Sequence, residues 1–372
     1  MSTDKNKKVL IVSLKAGAGH IKAAEAIEKA IASSKSASNK QNIEVKNIDF
    51  LDYASVLSKK FYTQWYIDLV KWAPKFYDYL YHNIDSSSTT FRMIFDRINA
   101  QKFKDLILEF KPDIVICTHF VPANLLTYWR EKYGLDYKVW LTVTDYEAHK
   151  LWIDKEVDLY SVATKDVKDY LIKEGIQSRK IKVTGIPVDL KFSQKYNKKD
   201  IFKKLGLKEG FTVSVFSGGF GMGPIGEIFR NILDIGNINI IAVAGKNTEL
   251  KEILEELAGE NKNVKIFGFV NNIEELMAVS DLIISKPGGL TVSESLAMGI
   301  PLIMANPIPG QEEANSDFLL KNKAGLRADK PEGIERIVKK ILKDKKILVE
   351  LKRNIKKIAK SNAVVDLIRN IG

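Results

Sequence analysis

Residues 285–315 read Ser285-Lys-Pro-Gly-Gly-Leu-Thr-Val-Ser-Glu-Ser-Leu-Ala-Met-Gly-Ile-Pro-Leu-Ile-Met-Ala-Asn-Pro-Ile-Pro-Gly-Gln-Glu-Glu-Ala-Asn315. The pattern predicts the end of an apolar strand, a glycine turn, a short helix, a second apolar strand, a proline–glycine loop and another helix. Two helix N-termini therefore open just beyond strand ends. Their free N–H groups and the positive end of the helix dipole suit an anion. Glu294, Gln311 and Glu312 follow closely and accept hydrogen bonds from hydroxyls, as sugar rings require. A phosphate seat beside hydroxyl acceptors points to a nucleotide-sugar.

Working outward, strand-like and helix-like segments alternate along most of the chain, which predicts parallel sheets with crossover helices. Strands are expected at 9–14, 44–49, 113–118, 139–143, 159–163 and 182–185, and again at 212–217, 238–244, 264–267, 282–285, 301–305 and 325–328. The two series open alike: Lys7 to Gly19 and Phe211 to Gly223 each run from an apolar strand into a glycine-rich turn. Two doubly wound, Rossmann-like domains facing a central cleft would bring both turns to the carboxyl ends of their sheets. The expected division is an acceptor domain over 1–190, a donor domain over 201–345 and C-terminal helices over 346–372. The polar, lysine-rich stretch 187–200 reads as the linker.

At 372 residues and 45% hydrophobic composition the chain is long enough for two cores. Cys117 is the lone cysteine, so an intrachain disulfide is excluded and a reducing cytosol fits. The apolar run 9–14 is too short for a signal-peptide core, and no run approaches a membrane span of about 18 residues. The net charge is +12, and residues 330–360 alone hold twelve basic against four acidic side chains. That excess suits a solvated face or an anionic lipid surface, whereas nucleic acid is not expected because no recognised binding motif accompanies it. Residues 50–105 break the strand–helix rhythm with aromatics and lysines, Trp65 and Trp72 among them, a mixture used both at membrane interfaces and to cover a sheet.

Gly17-Ala-Gly19-His20 follows the first strand and opens a helix. His20 thus sits where the dipole disfavours imidazolium and keeps the ring able to accept a proton. The third glycine of a dinucleotide-binding loop is missing, with Lys22 in its place. Asp145 closes Thr142-Val-Thr-Asp145 at another strand end, placed to take a proton, to orient His20 or to cap the next helix. His119 lies at the end of the strand 113–118 and is a further site candidate. Gly218, Gly219, Phe220, Gly221 and Gly223 form the second glycine turn, which lacks the Gly-Lys-Ser/Thr ending of a P-loop. No cluster has metal-ligand spacing, so a leaving diphosphate would be stabilised by backbone N–H groups and helix dipoles.

Taken together, Gly17–His20, Val143–Trp152, Val183–Pro187, Ala244–Asn247 and Ser285–Asn315 are similar to the bacterial processive diacylglycerol glucosyltransferases and the monogalactosyldiacylglycerol synthases of glycosyltransferase family 28. These are relatives of the enzyme that makes the lipid-linked peptidoglycan disaccharide. The resemblance implies a GT-B architecture and inverting transfer of glucose or galactose from a UDP-sugar to diacylglycerol, on the inner face of the cell membrane as a peripheral protein. It implies that Glu294 holds the ribose, that Gln311 and Glu312 hold the hexose with Asn315 nearby, that the Gly218–Gly223 turn (Gly218, Gly219 and Phe220 among it) and Gly288, Gly289, Leu290 and Thr291 flank the diphosphate, and that Gly19 also binds the donor. Phe269 and Val270 would lie by the uracil, His20 would be the base with Asp145 beside it, and Trp65, Trp72 and His119 would face the acceptor or membrane. The last helix would cross back to the N-terminal domain. No cofactor is required on this reading. Transfer to another lipid, a UDP-sugar epimerase and a non-catalytic UDP-hexose sensor are the alternatives. The resemblance is interrupted at Thr118-His-Phe120 and over 50–105.

Overall fold

The computed structural model describes residues 6–15, 17–37, 43–54, 100–218 and 224–371. The chain divides into two compact units, Met1–Leu190 with Asn362–Gly372, and Lys191–Ser361.

In the first unit six parallel strands form one sheet: β1 (Lys7–Ser13), β2 (Ile43–Asp49), β3 (Ile114–Cys117), β4 (Lys138–Thr142), β5 (Leu159–Val162) and β6 (Ile181–Val183), in the order β2-β1-β3-β4-β5-β6. Val9 to Val12 and Val115 to Cys117 are fully buried, the near-continuous apolar run that a strand covered on both faces requires. Helix α1 (Ala18–Ala37) covers one face through Ala24, Ile27 and Ile31. Helices α2 (Gln101–Phe110), α3 (Phe120–Tyr133) and α4 (Lys165–Lys173) pack with the other core, where Phe103, Trp129 and Trp152 are buried. Thr164 caps α4 by accepting from the Val167 N–H, and Gly134 ends α3 in the left-handed region at φ 61°.

In the second unit β7 (Thr212–Phe216), β8 (Asn239–Val243), β9 (Val264–Phe267), β10 (Leu282–Ser285), β11 (Leu302–Ala305) and β12 (Gly325–Ala328) form a second parallel sheet in the order β12-β11-β10-β7-β8-β9. This is the doubly wound dinucleotide-fold order, built outward in both directions from a central pair. Its helices are α5 (Lys198–Leu205), α6 (Ile225–Leu233), α7 (Thr248–Ala258), α8 (Ile273–Ala278), α9 (Gly289–Met298), α10 (Gln311–Lys321), α11 (Pro331–Lys343) and α12 (Lys346–Ile358). Asn247 caps α7 through the Leu250 N–H at 2.9 Å.

Each predicted strand is present within a residue or two of its expected ends. Residues 187–200, expected as the linker, include the division between the two units at Leu190 and Lys191; Leu190–Ser193 form a 3-10 turn, α5 begins at Lys198, and Val188 and Phe192 are buried. Two isolated apolar residues among lysines are too few to set a period, so the packing there leaves no pattern in the sequence. The final helix α13 (Ala363–Ile368) belongs to the first unit, where Val364, Leu367 and Ile371 pack with Val9, Ile11 and Ile27. Most of the aromatic stretch, with Trp65 and Trp72, lies outside the described residues, as do Gly219 and Phe220.

Candidate active site

In an open parallel sheet, ligands collect beyond the carboxyl ends of the strands where the strand order reverses. In the first unit that point lies between β1 and β3. Beyond β1 come Gly17 and then Gly19 and His20 in the first turn of α1; beyond β3 come Thr118 and His119. The two segments meet there. His20 Nδ1 is 2.8 Å from the Thr118 carbonyl oxygen, and the Thr118 hydroxyl donates to the His20 carbonyl at 2.9 Å. Thr144 Oγ1, just past β4, is 2.9 Å from the same Nδ1. A carbonyl can only accept, so Nδ1 carries the hydrogen and Nε2 is left with its lone pair. Burial lowers the pKa of His20 to about 4, against the opposing pull of the Thr118 carbonyl. His20 is half-buried, and the partial desolvation of its ring is the chief cause of the lowered pKa, a cause that helix position alone does not reveal.

The other histidines of this end hold the backbone. His119 is buried and caps α3, its Nδ1 accepting from the Val121 N–H at 3.1 Å. Its ring stands edge-on to His20 with centroids 4.7 Å apart and stacks on Phe120 at 4.2 Å. His149 caps the short 3-10 turn Lys150–Trp152. Burial, with His20 and His149 nearby, holds the His119 pKa well below the usual imidazole range. Asp145 is buried next to Thr144, at the carboxyl end of β4. The sequence pattern singled out Asp145 and His119 but not Thr118 and Thr144, the residues whose oxygens meet His20; the Thr142-Val-Thr-Asp145 strand end was the available signal.

In the second unit the order reverses between β7 and β10. Ser285 at the end of β10 donates to the Phe216 carbonyl at the end of β7 at 2.9 Å, so the two ends are tied together. Gly218 follows β7 at φ 73°, and Gly288 precedes α9. A Cβ added at either position would meet no described residue within 4 Å, so among the described residues the backbone there is uncovered. The first intrahelical bond of α9 runs from the Val292 N–H to the Gly288 carbonyl at 2.9 Å. The amides of Gly289, Leu290 and Thr291 precede it and have no acceptor within the helix, an arrangement suited to an anion.

Glu294 lies half-buried further along α9. Helix α10 starts after Gly310, whose φ of 84° and ψ of −108° only glycine adopts without strain. Gln311 and Glu312 are half-buried in its first turn. Glu312 accepts from the Ile308 N–H at 2.8 Å, bracing the proline–glycine loop. Asn315 is fully buried and donates to the Pro287 carbonyl at 3.0 Å, which joins α10 to the glycine turn before α9. Phe269, beyond β9, is 56% exposed. Its ring has the Lys246 ammonium 5.7 Å from the centroid, while Val270 beside it is half-buried. An exposed aromatic at a sheet's ligand end is a surface on which a planar base can stack. Among the described residues no group of three His, Cys, Asp or Glu side chains is placed to hold a metal ion.

The family model of monogalactosyldiacylglycerol (MGDG) synthase matches residues 20–188, and that of the glycosyltransferase family 28 C-terminal domain matches residues 223–371. The processive diacylglycerol beta-glucosyltransferase of Bacillus subtilis (strain 168) is 30% identical over 372 residues, covering 98% of this chain and 95% of its own length. The chain belongs to the diacylglycerol glycosyltransferases of family 28. A further relative in this family, the processive diacylglycerol beta-glucosyltransferase of Staphylococcus epidermidis (strain ATCC 12228), is 31% identical over 88% of the chain and 82% of its own length. The fold is GT-B. Acinetobacter baumannii MurG superposes with a TM-score of 0.61 at 15% identity, covering 98% of this chain and 99% of its own. The Staphylococcus aureus MnaA–UDP structure gives 0.65 at 12% identity, covering 98% and 96%. As a family 28 diacylglycerol glycosyltransferase the chain carries two Rossmann-like sheets whose switch points hold His20 on one and the open N-terminus of α9 on the other.

Proposed function

We propose that this glycosyltransferase moves glucose or galactose from a UDP-sugar to the free hydroxyl of diacylglycerol, with inversion, at the cytosolic face of a membrane. The observation that carries the reading is His20: its Nδ1 is engaged by the Thr118 carbonyl, so Nε2 is the acceptor nitrogen of a neutral imidazole. In the proposed reaction Nε2 takes the acceptor proton, the alkoxide-like oxygen forms its bond to the anomeric carbon, and the bond from that carbon to the diphosphate breaks on the opposite face. The diphosphate charge develops at Gly218 and at the amides of Gly289 to Thr291, which supply oriented donors without reorganisation. Glu294 would accept from the ribose hydroxyls, Gln311 and Glu312 would read the hexose, Asn315 would hold the turn before α9, and Phe269 with Val270 would face the uracil. Gly19 lies in the first turn of α1 next to His20, and Asp145 lies just past the end of β4.

Purified protein given UDP-glucose or UDP-galactose with diacylglycerol in anionic vesicles is expected to form a glycosyl-diacylglycerol with one of the two donors. UDP-sugar binding without lipid product from either would overturn the acceptor assignment; an epimerised sugar nucleotide would overturn transfer itself. Glu294→Ala is expected to raise the dissociation constant for UDP roughly ten- to hundredfold, the worth of hydrogen bonds to a charged group. Titration calorimetry reads this directly, and an unchanged constant would remove Glu294 from the ribose.

The basic C-terminal helices support membrane contact. Arg336, Lys340 and Lys343 on α11 and Lys346, Arg353, Lys356 and Lys357 on α12 are exposed, with Val349, 66% exposed, among them. Lys345, Lys346, Val349, Glu350 and Arg353 share one surface hollow, three cations against one carboxylate. None of the described helices is long and apolar enough to cross a membrane. Replacing Lys340, Lys343, Lys346 and Arg353 by Gln is expected to weaken sedimentation with anionic vesicles by about 1 kcal/mol per residue and to leave neutral vesicles unaffected. Equal binding of parent and variant to anionic vesicles would place the membrane contact elsewhere.

A further inference from the structure

We propose that Thr118 and Thr144 are positioning residues that fix the ring of His20 through two neutral oxygens and so aim Nε2 at the acceptor hydroxyl. The inference rests on His20 acting as the base. Thr118 closes a two-point tie: its carbonyl takes the Nδ1 hydrogen at 2.8 Å while its hydroxyl donates to the His20 carbonyl at 2.9 Å. The first turn of α1 is thereby pinned to the end of β3 through the backbone, and the ring cannot swing without breaking its own bond from Nδ1 to the Thr118 carbonyl. The opposite tautomer would bring the Nδ1 lone pair against a carbonyl lone pair at hydrogen-bond distance, which is repulsive. Thr144 Oγ1 at 2.9 Å is a second oxygen on the same nitrogen, reached from β4.

Thr118 is fully buried and Thr144 is 3% exposed, so water competes weakly for either contact. When His20 takes a proton on Nε2, its Nδ1 hydrogen becomes more acidic, and both oxygens then hold a charged donor rather than a neutral one. The two threonines thus favour the protonated ring at the moment it forms, beyond holding the neutral one.

The experiment combines spectra with kinetics. Long-range proton–nitrogen correlation spectra of the uniformly labelled protein, with His20→Gln used for assignment, are expected to show the Nδ1–H tautomer at His20. A dominant Nε2–H tautomer would overturn the arrangement. Thr144→Val is expected to lower kcat roughly ten- to hundredfold, as loss of a hydrogen bond to a charged group does, with the KM for UDP-sugar unchanged. Thr144→Ser restores the oxygen and is expected to restore kcat. Parent-like kcat in Thr144→Val overturns the positioning role, and Thr144→Ala serves the same purpose should the valine variant fail to fold. Full turnover by His20→Ala would instead remove the base assignment, while the tautomer seen in the spectra would stand by itself.

Discussion

His20→Ala is expected to reduce kcat by roughly 10²- to 10⁴-fold, the usual contribution of a general base, while leaving UDP binding as in the parent. The two effects separate because His20 lies at the switch point of the first sheet and the candidate UDP residues lie on the second. His20→Gln is the sharper companion, since a glutamine amide can still donate to the Thr118 carbonyl but cannot take a proton at neutral pH. Stopped or continuous assays of lipid product, paired with UDP calorimetry, check both variants. Parent-like turnover in either would sink the assignment.

The same residue sets a pH expectation. Its pKa is lowered from 6.5 to about 4 by burial, so the ring stays neutral across the mildly acidic range. The acid limb of kcat/KM is therefore expected to bend near pH 4 rather than near 6.5. Between these values the unfolded chain binds a proton that the folded chain does not. His20 thus adds to stability as pH rises through that window; the contribution is complete above the unfolded value and lost as pH falls toward the folded one.

Trp152→Ala is expected to destabilise the first unit by about 3–5 kcal/mol, the range for removing a buried large aromatic. Trp152 is fully buried and stands edge-on to Phe120 at 5.4 Å, with the His119 and His149 rings each 6.1 Å away. Its indole Nε1 has no hydrogen-bond partner among the described residues. Trp152→Phe removes that unsatisfied donor with less volume and is expected to cost far less than Trp152→Ala. Urea unfolding followed by a signal from the first unit distinguishes them. Equal midpoints for the parent and the alanine variant would show that the cluster under the histidines carries little of the stability. Because His119 caps α3 inside this cluster, the alanine variant is also expected to lose activity near its unfolding midpoint.

The strands were legible because a parallel sheet covered on both faces demands unbroken apolar runs such as Val9 to Val12 and Leu282 to Ile284, all buried. The open helix N-termini were legible too, since strand, glycine turn and helix follow one another within residues 282–298. The ring contacts of His20 were not. Thr118 and Thr144 are 98 and 124 residues away along the chain, and a threonine at a strand end looks the same whether or not a ring meets it. His149 offered a similar ambiguity: the sequence gives a polar loop residue, and only the fold reveals that its ring accepts the Leu151 N–H. Asn315 was read near the sugar; the fold adds that its amide donates to the Pro287 carbonyl, a local tie between two segments that no spacing rule marks. The resemblance to family 28 carried the glycine-turn histidine and the strand-end aspartate, whereas burial as the main cause of the neutral imidazole required coordinates.

The return of the chain to its first unit has a consequence for biosynthesis. Val364, Leu367 and Ile371 complete the layer over Val9, Ile11 and Ile27, yet they follow the whole of the second unit. At about 5–20 residues per second, a ribosome takes roughly 10–35 s to pass from the end of the first stretch to α13. During that interval the nascent first unit leaves part of its apolar layer uncovered, while the second unit can already close its own core. The order of completion is thus inverted relative to the order of synthesis, and the nascent first unit is the segment that a chaperone shielding apolar surface would hold longest.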